Sequence, residues 1–278
     1  MNNPAPLVSV CIPVFNCEQY LRFAIESVLQ QTLHDFELVV IDNHSTDATL
    51  QVAWSYGDPR VRVIENDENL GAEANWNKAL GVARGRLIKI LCADDLLYPS
   101  CLEKQAGVLS DPRNAGVALV TCRRDVIDGN GRVLMQRGLS NYHGRMAGLE
   151  LIRKSIRAGT NLVGEPAAVM LRRDLLDGSS RFDGANPYVI DLDFWCRLLL
   201  DGDLYAIGNT LAAFRVSSGS WSVEVGRNQS RDFCRFINKI AAQPAYRLTP
   251  VDKGLGKTRA VINGILRQIF YRVALRQR

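Results

Sequence analysis

The sequence predicts an α/β fold, with one Rossmann-like, mostly parallel sheet flanked by helices and a helical C-terminal tail. Three observations carry this. The first hundred residues alternate short apolar, β-branched runs with helical runs, which implies βαβ units and right-handed crossovers. The ends of four predicted strands carry polar or turn residues. Gly and Pro are spread throughout, with no internal repeat and no low-complexity linker. The chain's 278 residues are 47% hydrophobic, enough for one large core. Its 23% charged content excludes wholesale disorder.

Each element follows from local pattern. Residues 7–14 are apolar, as a strand buried on both faces should be. Leu21, Ile25, Val28 and Leu29 recur at helical spacing within 18–31. FELVVID, 36–42, is a second buried strand, and Ser45 can cap the helix after it, with Asp47 in the first turn. RVRVIE, 60–65, alternates as a more exposed strand; 71–85 reads as helix and 86–93 as strand. The second half is less regular. A strand at 116–122 runs toward DGNG, 128–131, a hairpin signal. Helices are predicted at 148–159 and 191–202, and a strand running into a short helix over 165–176. LYAIG and LAAFRV read as two short strands, and helices near 228–242 and 254–277 close the chain.

Charge and cysteine usage narrow the function. A net charge of +5 suits an anionic ligand or membrane surface and is too mild to argue for nucleic acid. No apolar run reaches the roughly 18 residues of a spanning helix. Leu7–Phe15 could imitate a signal segment, but Pro13 interrupts it and no Lys or Arg precedes it, so a buried strand is the better reading. Seven cysteines without CxxC spacing argue against a disulfide framework or zinc site and fit a reducing cytosol. Residues 253–278 carry seven Lys or Arg and no acid, interleaved with apolar residues at helical steps. Such a helix can lie on an anionic membrane surface or pack on the domain or a second subunit.

In parallel sheets, ligands bind outside the carboxyl ends of the strands. Those ends are Pro13–Asn16, Asp42–Ser45, Asn66–Gly71 and Cys92–Asp95. Asp94 and Asp95 are adjacent carboxylates whose repulsion calls for a cation, and hard oxygen ligands favour Mg²⁺ or Mn²⁺. A helix N-cap would use them equally well, and position alone leaves both readings open. Asp191 and Asp193 open a helix beside Phe194 and Trp195. They suit a dipole complement or, for one of them, a general base.

VSVCIPVFNCEQYLRFAIESVLQQTLHDFELVVIDNHSTDAT resembles the N-terminal signature of the family-2 inverting glycosyltransferases of GT-A fold. NLGAEANWNKALGVARGRLIKILCADDLLYP, GEPAAVMLRRDLL, DLDFWCRLL and LAAFRVSSGSWS continue it in order, so the likeness covers about residues 7–222. It implies that residues 1–110 bind the nucleotide sugar, 111–225 bind the acceptor in the same domain, and 226–278 form the tail. It makes Phe15 the aromatic stacked on the base, with Pro13, Asn16 and Asp42 beside it. Asn43 stands where an acid often pairs with the base, and an Asn oxygen can accept from uracil or thymine N3–H. UDP is the expected nucleotide, then dTDP. Asn77 and Lys78 fall at an Arg-Asn pair, with Trp76 in the Arg position. Asp94, supported by Asp95, becomes the metal or diphosphate contact. Asp191 becomes the catalytic base, Trp195 an acceptor-site aromatic, and Arg215 a residue near the diphosphate, with Ser217 where His is frequent. The implied activity is metal-dependent transfer of a sugar to a glycan or lipid-linked hydroxyl. Cys92, Trp76 and Ile190 depart from the pattern and support the alternative of a non-catalytic nucleotide-sugar-binding relic. A sugar-phosphate nucleotidyltransferase would need a Gly-rich phosphate loop where PVFNCEQ stands.

Overall fold

The computed structural model describes residues 5–139, 142–178, 180–217 and 228–276, with side chains as far as Phe270. The end of the LAAFRVSSGSWS block (218–222) and the last two tail residues lie outside the described residues.

The N-terminal half is the predicted βαβ array. Strands β1 (Val8–Val14), β2 (Phe36–Asp42), β3 (Val61–Glu65) and β4 (Leu87–Ile90) pair in parallel in the order β3-β2-β1-β4. Helices α1 (Leu21–Leu29), α2 (Thr49–Trp54) and α3 (Gly71–Val82) connect them. β1 and β2 are buried along their whole length, which is why they read as unbroken apolar runs.

The sheet continues as β9-β6-β10-β5, built from β5 (Leu96–Leu97), β6 (Val117–Ile127), β9 (Val169–Arg172) and β10 (Asp203–Arg215). β7 (Val133–Arg137) pairs with β6, and β8 (Gly144–Met146) with β10. The expectation of a mostly parallel sheet holds for the first half only. β6 and β10 are parallel, but β5, β7, β8 and β9 all pair antiparallel. The DGNG hairpin is one reason, because a tight turn can join only antiparallel strands. LYAIG and LAAFRV prove to be one strand, β10. Register shifts between Ile207 and Ala212 absorb the Gly208-Asn209 interruption that makes the pattern look like two.

Helices α4 (Cys101–Ser110), α5 (Gly148–Ala158), α6 (Ile190–Leu198), α7 (Gln229–Ala241) and α8 (Pro250–Arg276) complete the fold. Alternate residues of the central strands feed two apolar layers. Cys11, Val39 and Ile41 meet α3, α5, α6 and α7, while Val10, Ile12, Leu38 and Val40 meet α1 and α4. α8 starts at a reciprocal capping box. Asp252 Oδ2 accepts from the Thr249 N–H at 2.8 Å, and Thr249 Oγ1 accepts from the Asp252 N–H at 3.2 Å. The helix packs on α5 and α7 through Gly256, Ala260 and Gly264. A Cβ on Gly256 would strike the Ile156 carbonyl oxygen, and one on Gly264 would strike Ser230.

Candidate functional site

A cavity of about 610 Å³ opens at the carboxyl edge of the parallel strands. β1 delivers Pro13, Phe15 and Asn16 to its wall, β2 delivers Asn43, the β3–α3 connection delivers Asn69 and Gly71, and β4 delivers Cys92 and Asp94. Parallel strands end on one edge, so four segments distant in sequence meet there. Phe15 is 46% exposed, an aromatic face left open to the cavity. Asn16 turns the chain behind it at φ 48°, a left-handed conformation Asn tolerates. Its Oδ1 accepts from the Thr46 N–H at 2.8 Å, which ties the loop after β1 to the loop after β2.

Four asparagines form the floor of this region. Asn43 Oδ1 accepts from the Leu70 N–H at 3.0 Å and from Asn66 Nδ2 at 2.8 Å. Asn43 Nδ2 donates to Asn69 Oδ1 at 2.8 Å and to the Gly71 carbonyl. Asn66 Nδ2 also donates to Asn75 Oδ1, and Lys78 Nζ donates to Asn66 Oδ1. Because a backbone N–H and a backbone carbonyl bracket Asn43, its amide can point only one way. Both lone pairs of its oxygen are engaged. With both lone pairs used inside the network, the Asn43 oxygen is not left to accept from a base N3–H, contrary to what the resemblance implies. In Asn43→Asp a carboxylate oxygen would face Asn69 Oδ1 and the Gly71 carbonyl, at a cost of about 1–3 kcal/mol. Asn43→Asp is expected to lower the denaturant midpoint. A variant as stable as the parent that binds uridine nucleotides more tightly would restore the base-facing role.

Several sequence-predicted residues lie behind the wall. Asp42 is fully buried, and its carboxylate accepts from both the N–H and the Oγ–H of Ser45 at 2.9 and 2.6 Å. Ser45 is thus committed to Asp42 and Asn16, and Asp47 Oδ1 takes the N-terminal N–H of α2, at Thr49. On α3, Ala72, Asn75 and Trp76 line the cavity at helical spacing. Asn77 lies about 200° round the helix from Asn75. It clasps the backbone of Phe182, donating to its carbonyl at 3.0 Å and accepting from its N–H at 2.8 Å. Trp76 packs edge-on against the Phe182 ring, with centroids 5.0 Å apart. Trp195, expected at the acceptor site, is core: it is 1% exposed and donates from Nε1 to the Gly164 carbonyl.

Asp94 lines the cavity, whereas Asp95 is fully buried beneath it. Asp95 Oδ1 accepts from the Arg215 N–H at 2.9 Å, while Oδ2 is buried with no hydrogen-bond partner among the described residues. Burial, then the neighbouring Asp94 charge, pushes the Asp95 carboxyl well above its ordinary value. The Arg215 guanidinium goes to the carbonyls of Asp94, Asp128 and Gly129 and stacks 4.6 Å over Tyr20. It clamps the Asp94–Asp95 turn, and those N–H groups are not directed at a diphosphate. Adjacent carboxylates, Asp94 on the wall and Asp95 beneath it, are oxygen donors that fit a hard divalent cation. Among the described residues no set of three His, Cys, Asp or Glu could hold one alone. Remaining ligands would come from phosphate and water, as Mg²⁺ prefers.

The opposite part of the wall holds Asp191, at the start of α6. Its Oδ2 accepts from Asn161 Nδ2 at 2.9 Å, and its Oδ1 from the Leu192 N–H at 2.7 Å. Asn161 is itself fixed by the N–H and carbonyl of Gly164. Burial, then the Glu165 charge, raises the Asp191 carboxyl to about 7. Glu165 also lines the cavity. Burial alone would raise it, but its ion pair with the buried Arg124 holds it below the ordinary range. Asp193, two residues on, is turned away into ion pairs with Lys239 and Arg197 at 2.8 and 3.2 Å. Asn66, Asn75, Asn161 and Glu165 were not assigned from sequence. The polar Asn66–Gly71 strand end was the one available signal. Arg267 and Phe270 of α8 also line the cavity, a placement no local pattern reveals.

The strand-end cavity carries an open aromatic, Phe15, and two separate carboxylates, Asp94 and Asp191, on an α/β sheet. The chain belongs to glycosyl transferase family 2, whose model matches residues 9–178. It is 32% identical over 231 residues to an uncharacterized protein of Mycobacterium tuberculosis, covering 80% of this chain and 72% of that one. It is 28% identical over 250 residues to an uncharacterized glycosyltransferase of Rickettsia typhi, covering 87% and 75%. Among solved structures it resembles Staphylococcus aureus TarS 1–349 in complex with UDP-GlcNAc. The TM-score is 0.71 at 21% identity, over 91% of this chain and 71% of that one. Of the longer TarS chain it covers 41%. It also resembles the mannosyltransferase PcManGT of Pyrobaculum calidifontis in complex with GDP-Man and Mn²⁺, with a TM-score of 0.65 at 17% identity over 97% and 74%. At these identities the structural likeness establishes the fold.

Proposed function

We propose that this chain transfers a sugar from a nucleoside-diphosphate sugar, UDP-linked by preference, to an acceptor hydroxyl with inversion at the anomeric carbon. The observation that carries the reading is the placement of Asp94 and Asp191 on the wall of one cavity. Cys92 lies near enough to feel both charges. Phe15 offers the base a stacking face, and Pro13 and Asn16 shape the wall beside it. Asp94, backed by Asp95, would hold Mn²⁺ or Mg²⁺, which neutralises charge on the departing diphosphate when bound. Asp191 accepts the proton of the acceptor hydroxyl as its oxygen attacks the anomeric carbon. One base suffices, because the donor is already activated. Asn161 keeps the Asp191 carboxylate oriented. The acceptor side is formed by the half containing Asn161, Glu165 and Asp191, and a glycan or lipid-linked hydroxyl fits the reading.

Thermal-shift titration with nucleotide sugars, with and without Mn²⁺, tests it. A uridine donor at about a hundred times its dissociation constant should add roughly 2.7 kcal/mol of stability, and the stabilising donor should turn over. Stabilisation without turnover across acceptors would favour the relic reading. A shift only with a nucleoside triphosphate and sugar phosphate would favour a nucleotidyltransferase.

A further inference from the structure

α8 is inverted relative to an ordinary packing helix. The face toward the domain is small and polar. Gly256, Ala260 and Gly264 admit α5 and α7, and Asn263 Nδ2 donates to the carbonyls of Ala158 and Gly159 at 2.8 and 3.0 Å. The outward face is apolar: Val251, Leu255, Ile262, Ile265, Leu266 and Ile269 are 43–63% exposed. At 3.6 residues per turn they fall in one band about 100° wide, running about 27 Å along the helix. No charged side chain falls inside the band. A continuous apolar strip of this length in water marks an interaction surface.

We propose that this strip docks on an anionic lipid bilayer, with α8 lying in the plane of the interface. Charge selects the occupant. Lys257 and Arg259 flank the band, and residues 253–278 hold seven Lys or Arg and no acid. A second copy laid helix against helix would bring Lys257 and Arg259 against like charges, with no acid in 253–278 to neutralise them. An anionic bilayer neutralises the basic flanks and buries the apolar band together. Among the described residues no helix is long and apolar enough to cross a membrane, so α8 rests on the surface. The same helix supplies Arg267 and Phe270 to the cavity wall, where Arg267 donates to Gln229 Oε1 at 2.7 Å and stacks over Tyr188. Docking through α8 therefore places the bilayer against an element of the substrate cavity. Under the glycosyl-transfer reading, and resting on it, that favours an acceptor presented from the lipid.

Co-sedimentation of the full chain with vesicles tests the docking. At about 50 mM salt, binding to phosphatidylcholine vesicles containing about a third phosphatidylglycerol should exceed binding to pure phosphatidylcholine at least about tenfold, and most should be lost at about 500 mM. The triple variant Ile262→Asn, Ile265→Asn, Ile269→Asn should keep its melting temperature, because these side chains are exposed, and should lose vesicle binding. Should that variant fail to fold, Lys257→Glu with Arg259→Glu should remove the preference for anionic vesicles. The proposal is overturned by full-length protein that stays in the supernatant with anionic vesicles at low salt. It is also overturned by folded triple variant that still binds, or by a stable dimer in sedimentation velocity that the triple variant dissociates. Neither vesicles nor variants involve a nucleotide sugar, so failure here leaves the transferase reading standing, and failure of that reading leaves docking untouched.

Discussion

Asp191→Asn is expected to bind the donor normally and to lose sugar transfer by at least about 10²-fold, the usual contribution of a general base. Asparagine preserves shape, but its single oxygen can accept from only one of the Leu192 N–H and Asn161 Nδ2, and it cannot take a proton. The parent should show transfer rising with pH through an apparent pKa near 7, because burial and the Glu165 charge hold the Asp191 carboxyl at about 7. That limb should vanish in the variant. Stability moves the opposite way. The folded state keeps a proton on Asp191 that the unfolded chain releases near the ordinary carboxyl value of 3.8, so folding stability falls as pH rises from there to about 7. Asp191→Asn removes this penalty, and its melting temperature should gain on the parent at pH 8 more than at pH 5. Asp193→Asn should do the reverse. It cuts the ion pairs that the buried Asp193 carboxylate makes to partly exposed Lys239 and Arg197, lowers the melting temperature and leaves most transfer intact in the folded fraction. Equal losses of transfer from the two variants, or a flat pH profile in the parent, would remove Asp191 from the base role.

Asp94→Ala should abolish the strengthening of UDP binding by Mn²⁺ or Mg²⁺, a loss of at least about tenfold if the ion bridges protein and diphosphate. The variant should fold. Arg215 Nε donates to the Asp94 backbone carbonyl, and alanine keeps that carbonyl. Removing the Asp94 charge also relieves one of the three effects, burial, Asp94 and Glu165, that raise the buried Asp95 carboxyl, so the melting temperature should hold or rise. Calorimetry of UDP with and without metal checks this. Metal-independent binding in the parent, or full metal enhancement in the variant, would defeat the metal role of this pair.

The N-terminal half was legible in the sequence because its determinants are local. β2 runs over 36–42 as its unbroken apolar stretch requires, and α3 begins at Gly71 after a polar strand end. Parallel strands place their carboxyl ends on one edge, so Phe15, Asn43 and Asp94 could be assembled into one cavity on paper. What a side chain does at that edge was not legible. Asp42, Asn43 and Asp94 are all polar strand-end residues. One braces a turn, one holds an amide network, and one lines the cavity. Asn77 differs from Asn75 only by its angle round α3, which turns it onto the Phe182 backbone.

Composition, strand patterning and ordered motifs thus determined the α/β architecture, the parallel core, the cavity edge and the candidate acids, because each depends on residues close in the chain. Tertiary structure decided the rest: Asp193 held in ion pairs away from the cavity, Arg215 as a clamp, and α8 as both cavity wall and exposed strip. Helical periodicity shows that α8 has an apolar face but not which way it turns. Gly256, Ala260 and Gly264 settle that, because only the smallest side chains let α5 and α7 come close, and this leaves the apolar side outward.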